Sequence, residues 1–179
     1  MLTQLRCPVR WSFASTDFLL TSDIETVGTL YQKDGDPCGQ GGAARFHLVL
    51  TEPLVLESDA LLQTWHNWEL EDWDSDIIPT PRLLWLEFSP YRVTLTMQGN
   101  GQFSYRHWFE PHVFGISRYW LQDSQAPGAP GGQMQLRNFT RFLHVKGRPL
   151  PRYLRLEYEL WAPQLKLGDY SLSVEIGQD

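Results

Sequence analysis

Residues 91–109 read YRVTLTMQGNGQFSYRHWF. Tyr91, Val93, Leu95 and Met97 alternate with Arg92, Thr94, Thr96 and Gln98. Beyond a Gly-Asn-Gly stretch, Phe103, Tyr105, His107 and Phe109 alternate with Ser104, Arg106 and Trp108. A period of two is that of a half-buried strand, so the stretch reads as a β-hairpin. A two-residue Asn100-Gly101 turn would set Met97 against Ser104. A three-residue Gly99-Asn100-Gly101 loop sets Met97 against Phe103, Leu95 against Tyr105, Val93 against His107 and Tyr91 against Phe109. Slipping by one residue turns every side chain to the other face, so matched polarity selects the three-residue loop, with Gly101 in the left-handed position.

The same period recurs along the chain. Leu5, Cys7, Val9, Trp11 and Phe13 form one apolar series, and Pro8 within it points to a sheet edge. Phe46, Leu48 and Leu50 form a second, Leu154, Leu156, Tyr158 and Leu160 a third, and Tyr170, Leu172, Val174 and Ile176 a fourth. One helix is expected near residues 59–70, where Ser58 supplies a cap and Leu61, Trp65 and Trp68 share a face. Residues 33–43 and 123–133, which enclose KDGDPCGQGG and SQAPGAPGG, read as mobile loops. Closely spaced strands and little helix predict an all-β, mainly antiparallel fold. The expected form is a β-sandwich of jelly-roll type with one short helix, with a closed β-barrel as the second choice.

At 179 residues the chain fits one domain, 1–179, and a chain of this size buries roughly 70% of its unfolded surface. Residues 1–13 carry Arg6 and Arg10 without an apolar run, so no secretory leader is read there. No apolar run approaches the ~18 residues of a spanning helix. Cys7 and Cys38 are too few for a disulfide framework, which favours a soluble protein in a reducing, cytoplasmic setting. Asn138-Phe139-Thr140 matches the glycosylation sequon, a chance match in that setting. The net charge of −6 divides unevenly: residues 1–90 hold 5 basic and 14 acidic side chains, residues 91–179 hold 10 and 7. Overall acidity disfavours nonspecific nucleic-acid binding, while the basic half leaves room for a local cationic face.

Three constellations bear on function. Arg137, Phe139 and Arg141 fall on one face of an expected strand, within a stretch from Ser124 to Leu154 that contains no acid. Trp108 and Trp161 fall on the solvent side of their own patterns. Arginine and aromatic side chains are favoured anchors of protein interfaces, and these five are the expected partner-binding residues. The bland alternative is a solvated sheet face paired with Glu157 and Glu159. Second, Trp65, Trp68 and Trp73 are interleaved with acids that include Asp72 and Asp74. Flat aromatic faces and carboxylates together suit a sugar or other small ligand, and equally suit an amphipathic helix with a solvated end. Asp72, Asp74 and Asp76 begin a calcium-loop pattern that Ile77 and Leu83 then break. Third, His107, Glu110 and His112 offer two imidazoles and a carboxylate, at a spacing that matches no zinc pattern.

Other chemistry is not signalled. Gly39-Gln40-Gly41-Gly42 lacks the Lys-Ser/Thr of a phosphate loop, and no nucleophile elbow or H-E-x-x-H is present. Cys7 falls on an apolar face, where burial is expected rather than reactivity. The leading expectation is a non-catalytic protein-interaction module without cofactor, of the adaptor or assembly type. A sugar- or small-ligand-binding β protein is the alternative, and a metal-dependent enzyme comes third.

Overall fold

The structure, a computed structural model, describes residues 3–17, 20–33, 44–51, 83–98, 103–121 and 132–177. These form ten strands and no helix: β1 (Thr3–Ser15), β2 (Leu20–Lys33), β3 (Arg45–Thr51), β4 (Leu83–Ser89), β5 (Arg92–Gln98), β6 (Phe103–Phe109), β7 (Phe114–Leu121), β8 (Gly132–Lys146), β9 (Tyr153–Trp161) and β10 (Lys166–Ile176). Each pairs antiparallel with its sequence neighbours, and β1 pairs with β10, so the sheet closes on itself. The second-choice fold, a closed barrel, is the observed one. A jelly roll needs Greek-key crossovers, and this meander has none among the described strands. The expected helix near residues 59–70 lies outside the described residues. So does most of the two expected loops, of which Lys33, Gly132 and Gln133 belong to strands.

Closure also corrects the reading of Pro8. β1 is flanked on both sides, so it is not an edge. Pairing with β10 begins at Val9–Ile176, and the Pro8 carbonyl accepts the Gly177 amide at 2.8 Å. Carbonyl and nitrogen of one strand residue point the same way, so the missing N–H of Pro8 falls at the end of β10, where it forfeits the reciprocal bond to Gly177 and leaves the rest of the ladder intact.

The anticipated faces of the 91–109 hairpin are observed, but its register is not. Val93 opposes Phe109, Leu95 opposes His107 and Met97 opposes Tyr105, a shift of two residues from the three-residue-loop register. A two-residue slip leaves every side chain on its original face, so polarity cannot detect it. Tyr91, expected in the apolar series, lies exposed in the β4–β5 turn.

Inward-facing residues build one continuous core, including Cys7, Val9, Trp11, Leu48, Leu86, Phe88, Val93, Leu154, Leu156, Leu172 and Val174. Each fully buried large apolar side chain contributes about 1.5–3 kcal/mol. Gly28 faces inward opposite Cys7, and a Cβ there would lie 2.7 Å from a Leu50 methyl, so glycine lets Leu48 and Leu50 close over β2. Bilayer-spanning barrels carry apolar residues on the outside and polar ones within. Here the apolar core is internal. Among the described residues no helix is long and apolar enough to cross a membrane.

Candidate interaction wall and the polar lining behind it

β7 reverses the polarity of the barrel. Its inward residues are Gly115, Ser117 and Tyr119, while its outward residues Phe114 and Ile116 are 49% and 40% exposed and Trp120 is also exposed. An outward apolar series costs hydration on a strand that could present polar residues, so it marks this wall. The neighbouring strands extend it. Arg106 of β6 stands opposite Arg118 of β7, and Trp108 and Ile116 follow one step past the registered pair His107–Ser117. Phe114 opposes Phe139 of β8 and Ile116 opposes Arg137, which in turn opposes Trp161 of β9. The Arg137 guanidinium sits 4.1 Å from the centre of the Phe114 ring, and the Phe114 and Phe139 rings are 5.1 Å apart. Gly115 makes the wall possible: a Cβ there would overlap the Trp108 carbonyl oxygen, so only glycine lets β6 and β7 meet.

The expected anchors therefore come together in part. Trp108 of β6 lies across β7 from Arg137 and Phe139 of β8, and Trp161 of β9 adjoins them on the outer face. Arg106, Arg118 and Arg137 form no ion pair among the described residues, whereas Trp108 is flanked by Arg92, 4.8 Å from its ring, and donates to Glu110 at 3.1 Å. Arg141 is differently employed. It bridges Glu159 at 3.5 Å and Asp169 at 3.4 Å, and Lys166 joins the same two carboxylates at 3.6 and 2.7 Å. The hydrogen bond from Lys166 to Asp169 raises the ammonium above its ordinary pKa. Trp161 donates to Glu159 at 2.9 Å and so borders this network. The bland reading, a basic strand paired with acids of the next, holds for Arg141 and not for Arg137. Sequence reasoning missed Phe114, Ile116 and the Arg106–Arg118 pair, because a reversed strand carries no core-facing apolar series to announce it.

The inner side of the same strands is polar. His107 is buried, and its Nδ1 lies 2.9 Å from the Ser117 hydroxyl, which accepts from Asn138 Nδ2 at 2.8 Å. Desolvation lowers the His107 pKa from 6.5 to about 3, so the ring is neutral at neutral pH. Burial pushes the Tyr119 and Tyr158 hydroxyls well above their ordinary pKa, and they too stay neutral. Asn138, the sequon asparagine, faces the interior and is inaccessible to a glycan in the folded chain.

His107, Glu110 and His112 do not converge. His107 is inside the barrel, Glu110 faces Trp108 and Arg92 outside, and His112 lies exposed in the β6–β7 turn with φ of 63°. Among the described residues no three metal-ligating side chains cluster. Trp65, Trp68, Trp73, Asp72 and Asp74 lie outside the described residues, as do Cys38 and the Gly39–Gly42 stretch.

Architecture and wall together define the chain as an all-β, ten-stranded antiparallel meander barrel. It is similar to the solved structure of the ywiB protein from Bacillus subtilis, with a TM-score of 0.53 and 13% identity over 99% of this chain and 94% of that one. At that identity the likeness speaks to fold alone. A structure of Ail, the attachment invasion locus protein of Yersinia pestis, aligns over 98% of this chain and 96% of that one, at 5% identity and a TM-score of 0.23, too slight to carry an argument. No protein-family model matches the chain, and no curated protein matches it in sequence.

Proposed function

We propose that the protein is a non-catalytic interaction module whose β6–β8 outer wall receives an acidic protein surface. The observation that carries this reading is the reversal of β7, which turns Phe114, Ile116 and Trp120 outward among arginines that form no ion pair among the described residues. Exposed aromatic and apolar side chains supply the desolvated centre of an interface, and Arg106, Arg118 and Arg137 supply steering and specificity toward carboxylates. The net charge of −6 supports a protein partner over nucleic acid, since the basic character of this wall is local.

The test is affinity capture from nuclease-treated lysate of the source cells, comparing the natural chain with the Arg106→Glu/Arg118→Glu double variant. A stoichiometric protein partner captured by the natural chain and lost by the variant supports the proposal. Equal capture by both proteins, or capture that disappears with nuclease treatment, overturns it.

A further inference from the structure

Among the described residues, four buried side-chain atoms have no hydrogen-bond partner: Ser15 Oγ, Ser22 Oγ, Asn138 Oδ1 and Thr140 Oγ1. Burying a hydroxyl or amide without a partner is costly, and such groups recur where something else is meant to bind. These four are not scattered. Thr140 of β8 opposes Tyr158 of β9, Tyr158 opposes Tyr170 of β10, and Tyr170 opposes Ser15 of β1. One inward-facing row therefore carries an unpartnered hydroxyl at each end and two tyrosines between. The Tyr158 and Tyr170 rings are stacked, 5.3 Å apart and inclined by 18°. Phe13, opposite Ser22, continues the stack 5.8 Å from Tyr170. Asn138 enters from the neighbouring position on β8, anchored through Ser117 to His107.

The lining is aromatic and polar but uncharged. Among the described residues, the buried polar ones are Ser15, Thr94, His107, Ser117, Asn138 and Thr140, with no Lys, Arg, Asp or Glu. A ligand bearing a net charge would meet no counterion among these residues and is disfavoured. Met134 opposes Tyr119 and shares the parity of the inward-facing Leu136 and Asn138, yet it is 37% exposed. Barrel diameter grows with strand number: eight strands enclose packed side chains or one small ligand, and ten enclose a wider space.

We propose that the barrel interior between Ser15, Tyr158, Tyr170, Asn138 and Thr140 binds a small, uncharged, planar aromatic molecule bearing an N–H or O–H group. The ligand's ring packs against the edges of the stacked tyrosine row. Thr140 and Asn138 Oδ1 accept the ligand's hydrogen, and Ser15 engages a second polar group at the opposite edge.

The test titrates the full chain with 1-aminoanthracene, a neutral aromatic amine whose emission reports its surroundings, alongside anthracene and 8-anilinonaphthalene-1-sulfonate. The expected result is saturable one-to-one binding of 1-aminoanthracene with blue-shifted emission, and weaker binding of both the donor-free and the sulfonated compounds. Thr140→Val keeps the side-chain shape and should weaken 1-aminoanthracene about ten-fold. Trp85→Ala, on the outer face of β4, should leave its affinity unchanged. Thermal melting of both variants establishes that they fold, and Ser15→Ala serves as the second lining variant if Thr140→Val melts early. Absence of saturable binding overturns the proposal and assigns the hydroxyls to buried water. Binding that survives the lining variants, or is lost with Trp85→Ala, overturns it as well.

Discussion

Arg106 and Arg118 face each other across β6 and β7 as a registered pair, and neither forms an ion pair among the described residues. Like charges directly opposite in a sheet are destabilising, by an amount comparable to the ~0.2–1 kcal/mol that favourable pairs contribute. Arg118→Glu should therefore raise the denaturant midpoint, by about 0.5 kcal/mol, while weakening partner capture. A variant that gains stability and loses binding separates interface from scaffold. A variant that loses stability would show that the pair supports the barrel.

Gly115 ties the wall to the fold. Because a Cβ at this position would overlap the Trp108 carbonyl, Gly115→Ala must push β6 and β7 apart and should cost about 1–3 kcal/mol in chemical denaturation. Gly132→Ala is the matched control. An added Cβ there meets nothing within 4 Å, so its stability should stay within about 0.5 kcal/mol of the natural chain.

His107 gives the fold a pH dependence of definite sign. Its folded pKa of about 3 lies below the ordinary 6.5, because burial disfavours the imidazolium. Between those values the unfolded chain binds a proton that the folded chain does not. Stability is thus full above about pH 6.5 and declines as pH falls toward 3, by up to about 1.4 kcal/mol per pH unit. His107→Gln cannot titrate. Urea unfolding at about pH 7.5 and about pH 5 should show a loss of roughly 2 kcal/mol in the natural chain that is absent from the variant. Equal losses in both would place the acid sensitivity elsewhere.

Much of the barrel is legible in the chain. β1, β3, β5, β6, β9 and β10 each alternate apolar and polar residues, and their apolar series face the core, apart from Tyr91 at the β4–β5 turn. The choice between sandwich and barrel is not legible in this way, because alternation fixes which face is buried and not which strands close the sheet. That information lies in the β1–β10 pairing, between residues more than 150 positions apart, such as Val9 and Ile176. β2 carries Ser22, Thr26 and Gly28 on its inner face, and β4 opens with an unbroken Leu83-Leu84-Trp85-Leu86 run, so neither displays a clean period. β7 is hidden for a more informative reason: its apolar residues point outward and its polar ones inward. The strand that breaks the local rule is the one that carries both the wall and part of the polar lining, which accords with local inconsistency marking functional positions. Trp108 and Arg137 were found because an outward aromatic and an acid-free basic stretch stand out by composition. Arg141 stood out equally, yet it is engaged by Glu159 and Asp169, a pairing set by strand neighbours.

The most direct test of the wall is site-specific photocrosslinking with a benzophenone side chain placed at Ile116 or at Val27. Both positions are exposed, at 40% and 44%, and β7 and β2 lie on opposite sides of the ten-strand circuit. The account predicts a discrete crosslinked protein from position 116 and none from position 27, with the adduct fading as salt rises. No adduct at 116, or the same adduct from both positions, would contradict it.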